Sequence, residues 1–244
     1  MTKTIISICL LSLLSISVPP DLKENQKEFI LEFAPKIFQA NEEISKTRAR
    51  IIQIRSDFVK TGKMSSEEEV FISRLSKSYG LNAFKLDDEK DHDALLTEVN
   101  ALLLRVDIIP PRLIMAQAII ESGWGKSYFA REANNYFGVH CYNKGCGIPP
   151  KGAPDAGFEV KSYPDLEAGI ADYMDILNSY SAYEDFRKAR AEMQKKSEKL
   201  DPLVLAGALS RYSQKGEAYV KLIREIINDF LPDDLAVMLK SMQQ

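Results

Sequence analysis

The segment LIMAQAIIESGWG, residues 113–125, gives the strongest indication of the fold. Residues 113–120 are almost wholly apolar, which predicts a helix that is buried on most of its faces. Pro111 suits the first turn of this helix, and Gly123 and Gly125 predict its end. A helix of this kind needs cover on several sides, so the segments before and after it should pack around it.

An acidic residue, Glu121, lies in the last turn of this helix. It shares a face with Gln117 and Ala118, so its carboxylate should be poorly solvated. Poor solvation and the negative end of the helix dipole both disfavour the charged form and raise the pKa. A raised pKa is what a general acid needs near neutral pH. The indole of Trp124, between two glycines, could line a sugar cleft.

The segments on either side of this helix are also mainly helical in pattern. Apolar residues recur every three, four or seven positions from Phe29 to Ile54, and Ser65 with Glu68 has the spacing of a capping box. Residues 137–160 hold much of the glycine and proline and predict a loop or a small β-hairpin lobe. Further helices are predicted over residues 164–178, 182–199, 203–211 and 217–230.

These patterns predict a mostly α chain, an α+β fold with a small β-hairpin lobe preceded by a helical N-terminal region. The predicted division is a signal peptide at 1–18, the helical N-terminal region at 19–90, the main domain at 91–231 and a C-terminal tail at 232–244.

The composition argues for a soluble protein with a substantial core. Of 244 residues, 45% are hydrophobic and 27% are charged, which argues against disorder. The net charge of −3 and the lack of a Lys/Arg cluster argue against nucleic acid as a partner. Uncharged glycans need no electrostatic steering, so this balance does not count against them.

The first residues have the pattern of an export signal. Lys3 precedes an uncharged run from Thr4 to Val18, with the small residues Ser15 and Ser17 near its end. The run is shorter than the roughly 20 apolar residues of a membrane span. We therefore predict export to the periplasm or cell envelope, with no stable membrane insertion after removal of the signal. An uncleaved membrane anchor is the alternative.

Two of the three cysteines lie close together in the predicted β lobe. Loss of Cys9 with the signal leaves Cys141 and Cys146, which flank a turn-like stretch. In an oxidising compartment this pair predicts a structural disulfide. A metal site with His140 as a third ligand is the alternative, although a second ligand pair at zinc spacing is missing. No metal or organic cofactor is expected.

The order of motifs around the central helix resembles the glucosaminidase domain of glycoside hydrolase family 73, and within it the Bax-type proteins of Gram-negative bacteria. The resemblance covers roughly residues 91–230, and an ordered series of motifs is more specific than an isolated Glu-Ser pair. The motifs are LIMAQAIIESGWGKSY (113–128), ANNYFGV (133–139), FEVKSY (158–163), AGIADY (168–173) and RYSQKGEAY (211–219).

This resemblance implies a lysozyme-like fold and an endo-β-N-acetylglucosaminidase that cleaves peptidoglycan glycan strands. Glu121 matches the proton donor of the family. Tyr219 matches a tyrosine near that glutamate, whose hydroxyl could stabilise developing charge, and Tyr212 competes for this role by its position. Tyr136 resembles the motif that lines the cleft, and Asn135 could bind an acetamido group.

The family implies a second acidic residue from the β lobe, and two candidates match. Asp155 lies in the glycine-proline loop and is preferred, because such loops often carry function. Glu159 could instead be a solvent-facing strand residue. If neither acts, the N-acetyl group of the substrate could assist, or the enzyme could be a lytic transglycosylase. A non-catalytic glycan-binding protein is the alternative from another class, and in each case we expect a monomer.

Overall fold

The computed structural model describes residues 22–82, 92–150, 152–153 and 156–243. The predicted signal at 1–18 and Asp155 lie outside these residues. The helices are α1 (Glu24–Thr61), α2 (Ser66–Ser78), α3 (His92–Arg105), α4 (Pro111–Ser122), α5 (Tyr128–Ala133), α6 (Leu166–Ser179), α7 (Glu184–Lys195), α8 (Pro202–Ala206), α9 (Glu217–Phe230) and α10 (Leu235–Met242). The strands are β1 (His140–Cys141), β2 (Gly147–Ile148) and β3 (Glu159–Lys161).

The central helix α4 is buried as predicted. It begins at Pro111 and ends at Gly123, which has the left-handed conformation that glycine adopts without strain. The side chains of residues 113–119 are buried, and α1 and α9 cover the helix. The mostly helical, lysozyme-like fold class is therefore confirmed.

The longest helix, α1, joins two hydrophobic clusters. Its 38 residues span about 57 Å at 1.5 Å per residue. Phe29, Phe33 and Ile37 pack into the first cluster with α4, α6, α9 and α10, whereas Ile51 and Phe58 pack into a second cluster with α2 and α3. The two clusters therefore do not separate at the predicted domain boundary near residue 90. In the part of the chain that the structure describes, no helix has the length and apolar character of a membrane span.

The predicted β lobe is present and has three strands instead of the two of a hairpin. Strands β1 and β2 each pair antiparallel with β3, so the order is β1-β3-β2. Close packing requires glycine at Gly147, because a Cβ there would lie 1.9 Å from the carbonyl oxygen of Val160. The second partner of β3 was missed because a strand of two residues leaves no alternating pattern to read.

The predicted C-terminal tail contains a helix, α10. The Asp234 side chain accepts a hydrogen bond from the backbone N–H of Val237 and caps the helix. Leu235, Met238 and Leu239 are buried in the first cluster, where α10 packs on α1. Eight residues give too few turns for a clear helical period, so the sequence did not predict this helix.

A buried group of charged side chains connects the helices of the second hydrophobic cluster to those of the first. Asp107 follows α3, and its carboxylate lies 3.4 Å from the Arg48 guanidinium and 3.7 Å from that of Arg190. Arg190 also donates to the Leu104 carbonyl (3.1 Å) and to the Asn178 side chain (2.7 Å). The cluster therefore joins α1, α3, α6 and α7 at one point.

Removal of the acid from this cluster should destabilise the protein. In Asp107→Asn two guanidinium groups lose their counter-charge inside the protein, so we expect the free energy of unfolding to fall by about 3 kcal/mol. Urea denaturation measures the change. Asp57→Asn removes an exposed partner of Lys60 and should change the free energy of unfolding by less than about 0.5 kcal/mol. Equal midpoints for the two variants would contradict the role assigned to the cluster.

Candidate active site

A tight turn after α4 fixes the position of Glu121. Gly123, Trp124 and Gly125 all have positive φ angles, of 58°, 61° and 73°. The buried Ser122 hydroxyl donates to the Ala118 carbonyl (2.6 Å) and accepts from the Gly125 N–H (2.8 Å). The helix therefore stops one residue after Glu121, and the carboxyl group lies at its end.

A chain of buried hydrogen bonds leads to the Glu121 carboxyl group. The Tyr173 hydroxyl donates to the side-chain oxygen of Gln117, whose nitrogen donates to the Tyr219 hydroxyl oxygen at 3.0 Å. The Tyr219 hydroxyl lies next to Glu121, and the interaction between the two groups lowers the pKa of Glu121 and raises that of Tyr219. Because the N–H of Gln117 approaches the hydroxyl oxygen, the hydroxyl proton of Tyr219 is directed at the carboxyl group.

The surroundings of Glu121 shift its pKa upward. Burial raises the pKa of the Glu121 carboxyl, while the hydrogen bond from Tyr219 and the charge of Lys215 lower it by smaller amounts. The upward direction is the one expected from the sequence. Burial also raises the pKa of Tyr219, so its hydroxyl keeps its proton and remains a donor at neutral pH.

An aromatic cluster encloses this hydrogen-bond chain. The ring of Tyr212 stacks on that of Tyr219 with centroids 5.7 Å apart, and its hydroxyl donates to the Phe137 carbonyl at 2.8 Å. Phe137 stacks on Tyr173 at 4.2 Å. Of the two competing tyrosines, Tyr219 therefore contacts Glu121, and Tyr212 supports it and the start of the β lobe.

A groove of about 570 Å³ lies between the β lobe and α6, and Glu121 does not line it directly but lies behind one of its lining residues, Gly138. Residues 137–143 of the β lobe form one wall, and α6 with the turn after it forms the other. Gly138 connects the groove to the acid, because a Cβ on this glycine would lie 3.5 Å from Oε2 of Glu121. A side chain at Gly138 would therefore narrow the approach to the carboxyl group.

The carboxylate on the groove wall itself is already paired. Asp172 accepts a hydrogen bond from the Lys161 amine at 2.9 Å and one from the Tyr163 hydroxyl at 2.6 Å. Among the described residues that shift the pKa of Glu121 there is no acidic group. The carboxylate that lines the groove, Asp172, is therefore already engaged in structural bonds.

Glu159, one of the two predicted partners of Glu121, braces a loop. Its carboxylate accepts the backbone N–H groups of Gly145 (3.0 Å) and Gly147 (2.8 Å). These bonds lower the pKa of Glu159, so it is ionised at neutral pH. It borders a second depression, of about 560 Å³, on the outer side of the loop. Asp155, the preferred partner, lies outside the described residues.

The braced loop is also closed by a covalent bond. Cys141 and Cys146 form a disulfide with their Cα atoms 6.2 Å apart. Within the described ranges, the one grouping of metal-ligand side chains is this pair with Glu159. Here the two sulfur atoms are bonded to each other, and the carboxylate accepts two backbone N–H groups, so the donor set does not suit a metal ion.

The predicted role of Asn135 in substrate binding does not fit the structure. Asn135 is buried, and its amide nitrogen donates to the carbonyl groups of Val139 (2.9 Å) and Lys161 (2.8 Å). Its amide oxygen accepts the N–H of Val139 at 3.1 Å. Because these bonds occupy the amide, Asn135 holds the β lobe together and is not available to an acetamido group.

Two further predicted cleft residues, Trp124 and Tyr136, pack against α1, and Trp124 also packs against α9. Trp124 contacts Phe29 and Phe230 edge-on, with centroids 5.8 Å and 5.3 Å apart, and Tyr136 contacts Phe33 edge-on at 4.7 Å. Neither ring lines the groove beside Glu121. Both rings remain partly exposed, so their role in substrate binding stays a prediction.

Two site residues, Gln117 and Tyr173, were missed by sequence reasoning. The spacing placed Gln117 on the face of Glu121, and this was the available signal for its role. Tyr173 lies in the AGIADY motif, but its contact with Gln117 joins residues 56 positions apart. A contact of that range leaves no local pattern in the sequence.

A partly buried glutamate at the end of a central helix, beside a groove bounded by a small β lobe, defines a lysozyme-like glycosidase arrangement. The family described as "Mannosyl-glycoprotein endo-beta-N-acetylglucosaminidase" matches residues 98–231, more than half of the chain. The chain therefore belongs to this glucosaminidase family, a family of glycosidases. The chain is also 29% identical to Protein bax of Escherichia coli (strain K12) over 206 aligned residues. This aligned region covers 82% of this chain and 70% of that protein. No solved structure matches the chain.

The hydrogen bond between Tyr219 and Glu121 can be tested by titration. In Tyr219→Phe the carboxylate loses a donor that favours its charged form, so the pKa of Glu121 should rise further. NMR titration of the ¹³C-labelled glutamate carboxyl groups measures this pKa. Tyr79→Phe changes a buried tyrosine of the second cluster and should leave the pKa of Glu121 unchanged. A fall in the pKa of Glu121 in Tyr219→Phe would refute the hydrogen bond.

Proposed function

We propose that this protein is a peptidoglycan hydrolase that cleaves glycan strands as an endo-β-N-acetylglucosaminidase. The observation that carries the proposal is the Glu121 carboxyl group, which is partly buried beside the groove with a raised pKa. Membership of the glucosaminidase family supports a glycosidic bond as the target. The proposal goes beyond family membership in two respects: it names peptidoglycan as the substrate and the bond after N-acetylglucosamine as the bond that is cleaved.

In this mechanism Glu121 is the general acid. Its raised pKa favours the protonated form, and when a sugar is bound the proton passes to the leaving glycosidic oxygen as positive charge develops on the sugar ring. The new carboxylate is stabilised by the Tyr219 hydroxyl and by the charge of Lys215, which both favour its ionised form. The reaction needs no metal or organic cofactor.

We assign the second acidic role to Asp155. Glu159 is less suited, because its carboxylate accepts two backbone N–H groups and braces the loop. In the sequence, Asp155 falls between β2 and β3. An acid there would activate water or stabilise the cationic sugar.

The proposed setting is the periplasm or cell envelope. Export agrees with the Cys141–Cys146 disulfide, because such bonds persist in oxidising compartments. Residues 1–18 would act as the signal, and the mature protein would work on glycan strands as a monomer. Residues 19–90 would form the helical N-terminal region of the enzyme.

Lytic transglycosylase activity is the second candidate. The observation that favours it is that Glu159, the candidate second acid among the described residues, is already bound to the backbone of its own loop. Mass spectrometry of digested sacculi separates the two reactions. A reducing N-acetylglucosamine end supports hydrolysis as proposed, whereas an anhydro-muramic end would replace it with the transglycosylase. A non-catalytic glycan-binding protein is less favoured, since a buried carboxyl group costs stability without contributing to packing.

Replacement of the proposed acid should separate activity from stability. We expect Glu121→Gln to lower the rate of release of soluble fragments from sacculi by about 10²- to 10⁴-fold. Its Tm at pH 7.5 should equal or exceed that of the wild type, because a carboxyl group with a raised pKa destabilises the folded state where it is ionised. This difference should shrink as the pH falls toward 4, where wild-type Glu121 is protonated in both states.

Glu192→Gln is the matched control, because Glu192 is an exposed residue paired with Lys195. Its activity on sacculi should equal that of the wild type. Near-native activity of Glu121→Gln would exclude Glu121 as the proton donor.

Replacement of each candidate for the second acid by its amide tests which of the two takes part in the reaction. We expect Asp155→Asn to lower kcat on sacculi by about 10²-fold or more. Glu159→Gln weakens the brace of the loop without removing a reacting group, so its effect should be smaller and lie mainly in KM. The reverse order would transfer the role to Glu159. Near-native kcat in both variants would favour assistance by the N-acetyl group of the substrate.

A further inference from the structure

Two unusually exposed tyrosines face each other across the groove. Tyr142 on the β-lobe wall is 79% exposed, and Tyr180 at the end of α6 is 59% exposed. Tyrosine is usually only intermediate in exposure, and single exposed apolar side chains need no explanation. Two exposed rings on opposite walls of the same groove, however, indicate a binding surface.

The loop that carries Tyr142 is held more firmly than a surface loop requires. The Cys141–Cys146 disulfide closes it, and Glu159 binds the N–H groups of Gly145 and Gly147. Further backbone bonds run from Cys146 to the Asn143 carbonyl (3.1 Å) and from Ser162 to the Cys146 carbonyl (3.2 Å). The loop is thus fixed to β3 on both sides of the exposed ring.

This bracing does not serve the hydrophobic core. Tyr142 is mostly in solvent and belongs to neither hydrophobic cluster. Holding an exposed ring in one position does, however, reduce the conformational entropy that is lost when a ligand binds to it. The arrangement is therefore suited to binding.

The occupant of such a surface should be apolar on its faces and uncharged. Lys161 and Asp172 in the groove lining neutralise each other, so the groove offers little net charge to an ionic ligand. Pyranose rings have an apolar face of C–H groups that stacks on aromatic rings, while their hydroxyl and acetamido groups remain in water. Neutral sugar units therefore match both the rings and the charge.

We propose that Tyr142 and Tyr180 are sugar-stacking residues that bind N-acetylhexosamine units of the glycan strand away from the cleaved bond. The proposal rests on the proposed function, since it uses the groove beside Glu121. Tyr142 also borders the outer depression near Glu159. A glycan strand that occupies the groove and the outer depression passes over the ring of Tyr142. Tyr142 therefore contacts the strand between the two depressions, and Tyr180 contacts it from the opposite wall of the groove.

Binding without turnover provides the test. In a Glu121→Gln background, the N-acetylglucosamine hexamer is titrated calorimetrically, and binding to purified sacculi is measured by sedimentation. Tyr142→Ala and Tyr180→Ala should each weaken binding by about 3- to 10-fold. Tyr142→Phe keeps the ring and should bind as the parent does. Val204→Ala removes an exposed side chain on α8 outside the groove and is the matched control.

A second arm of the experiment tests the brace. Cys141→Ser with Cys146→Ser releases the loop, so it should weaken binding, and adding Tyr142→Ala should then cost less than it does with the disulfide intact. Circular dichroism checks that each variant is folded.

The proposal is overturned if both alanine variants bind hexamer and sacculi as the parent does, or if the parent binds neither probe. Equal losses for Tyr142→Phe and Tyr142→Ala would also overturn it, because the hydroxyl and not the ring would then act. These binding results do not depend on turnover. Loss of binding in the alanine variants would support the tyrosines even if wild-type protein failed to cleave sacculi.

Discussion

The candidate site depends on one carboxyl group that is partly withdrawn from water at the end of an apolar helix. α4 can be apolar on nearly all faces only because α1 and α9 cover it, and its end is fixed by the turn from Gly123 to Gly125. Within that enclosure, Tyr173, Gln117 and Tyr219 form an ordered series of hydrogen bonds that ends at Glu121. Burial favours the protonated acid, and the last bond of the series favours the carboxylate that remains after proton transfer. The site is thus suited to both states of a general acid.

The polar residues of the β lobe separate into those that build it and those that face the groove. Asn135 and Glu159 use their side chains on backbone partners, and so fix the two loops that flank β3. Tyr142, by contrast, is mostly in solvent on a loop that these contacts hold still. A polar side chain with satisfied internal partners is a poor ligand for substrate, because binding would first break those bonds. Asn135 and Glu159 therefore position the β lobe, and the exposed ring of Tyr142 remains open to solvent.

The helical N-terminal region is part of the same structural unit as the site. α1 provides aromatic side chains that pack against Trp124 and Tyr136, close to the turn after Glu121. Its other end packs with α2 and α3, and the cluster around Asp107 ties those helices to α6 and α7. Changes in the N-terminal helices can therefore reach the site through packing alone. A separate recognition function is not needed to explain their presence.

The sequence by itself determined the helical class, the central helix with Glu121 at its end, the capping of α2 at Ser65, the glucosaminidase family and the place of the β lobe. These features rest on local patterns of apolar spacing, capping and turn residues, together with an ordered series of motifs, all of which can be read along the chain. The tertiary structure decided which polar side chains are free. Asn135 resembles a cleft residue in the sequence, yet its buried amide is bound to backbone groups up to 26 positions away. Whether a side chain can meet a substrate depends on what already contacts it, and those contacts are made across the fold.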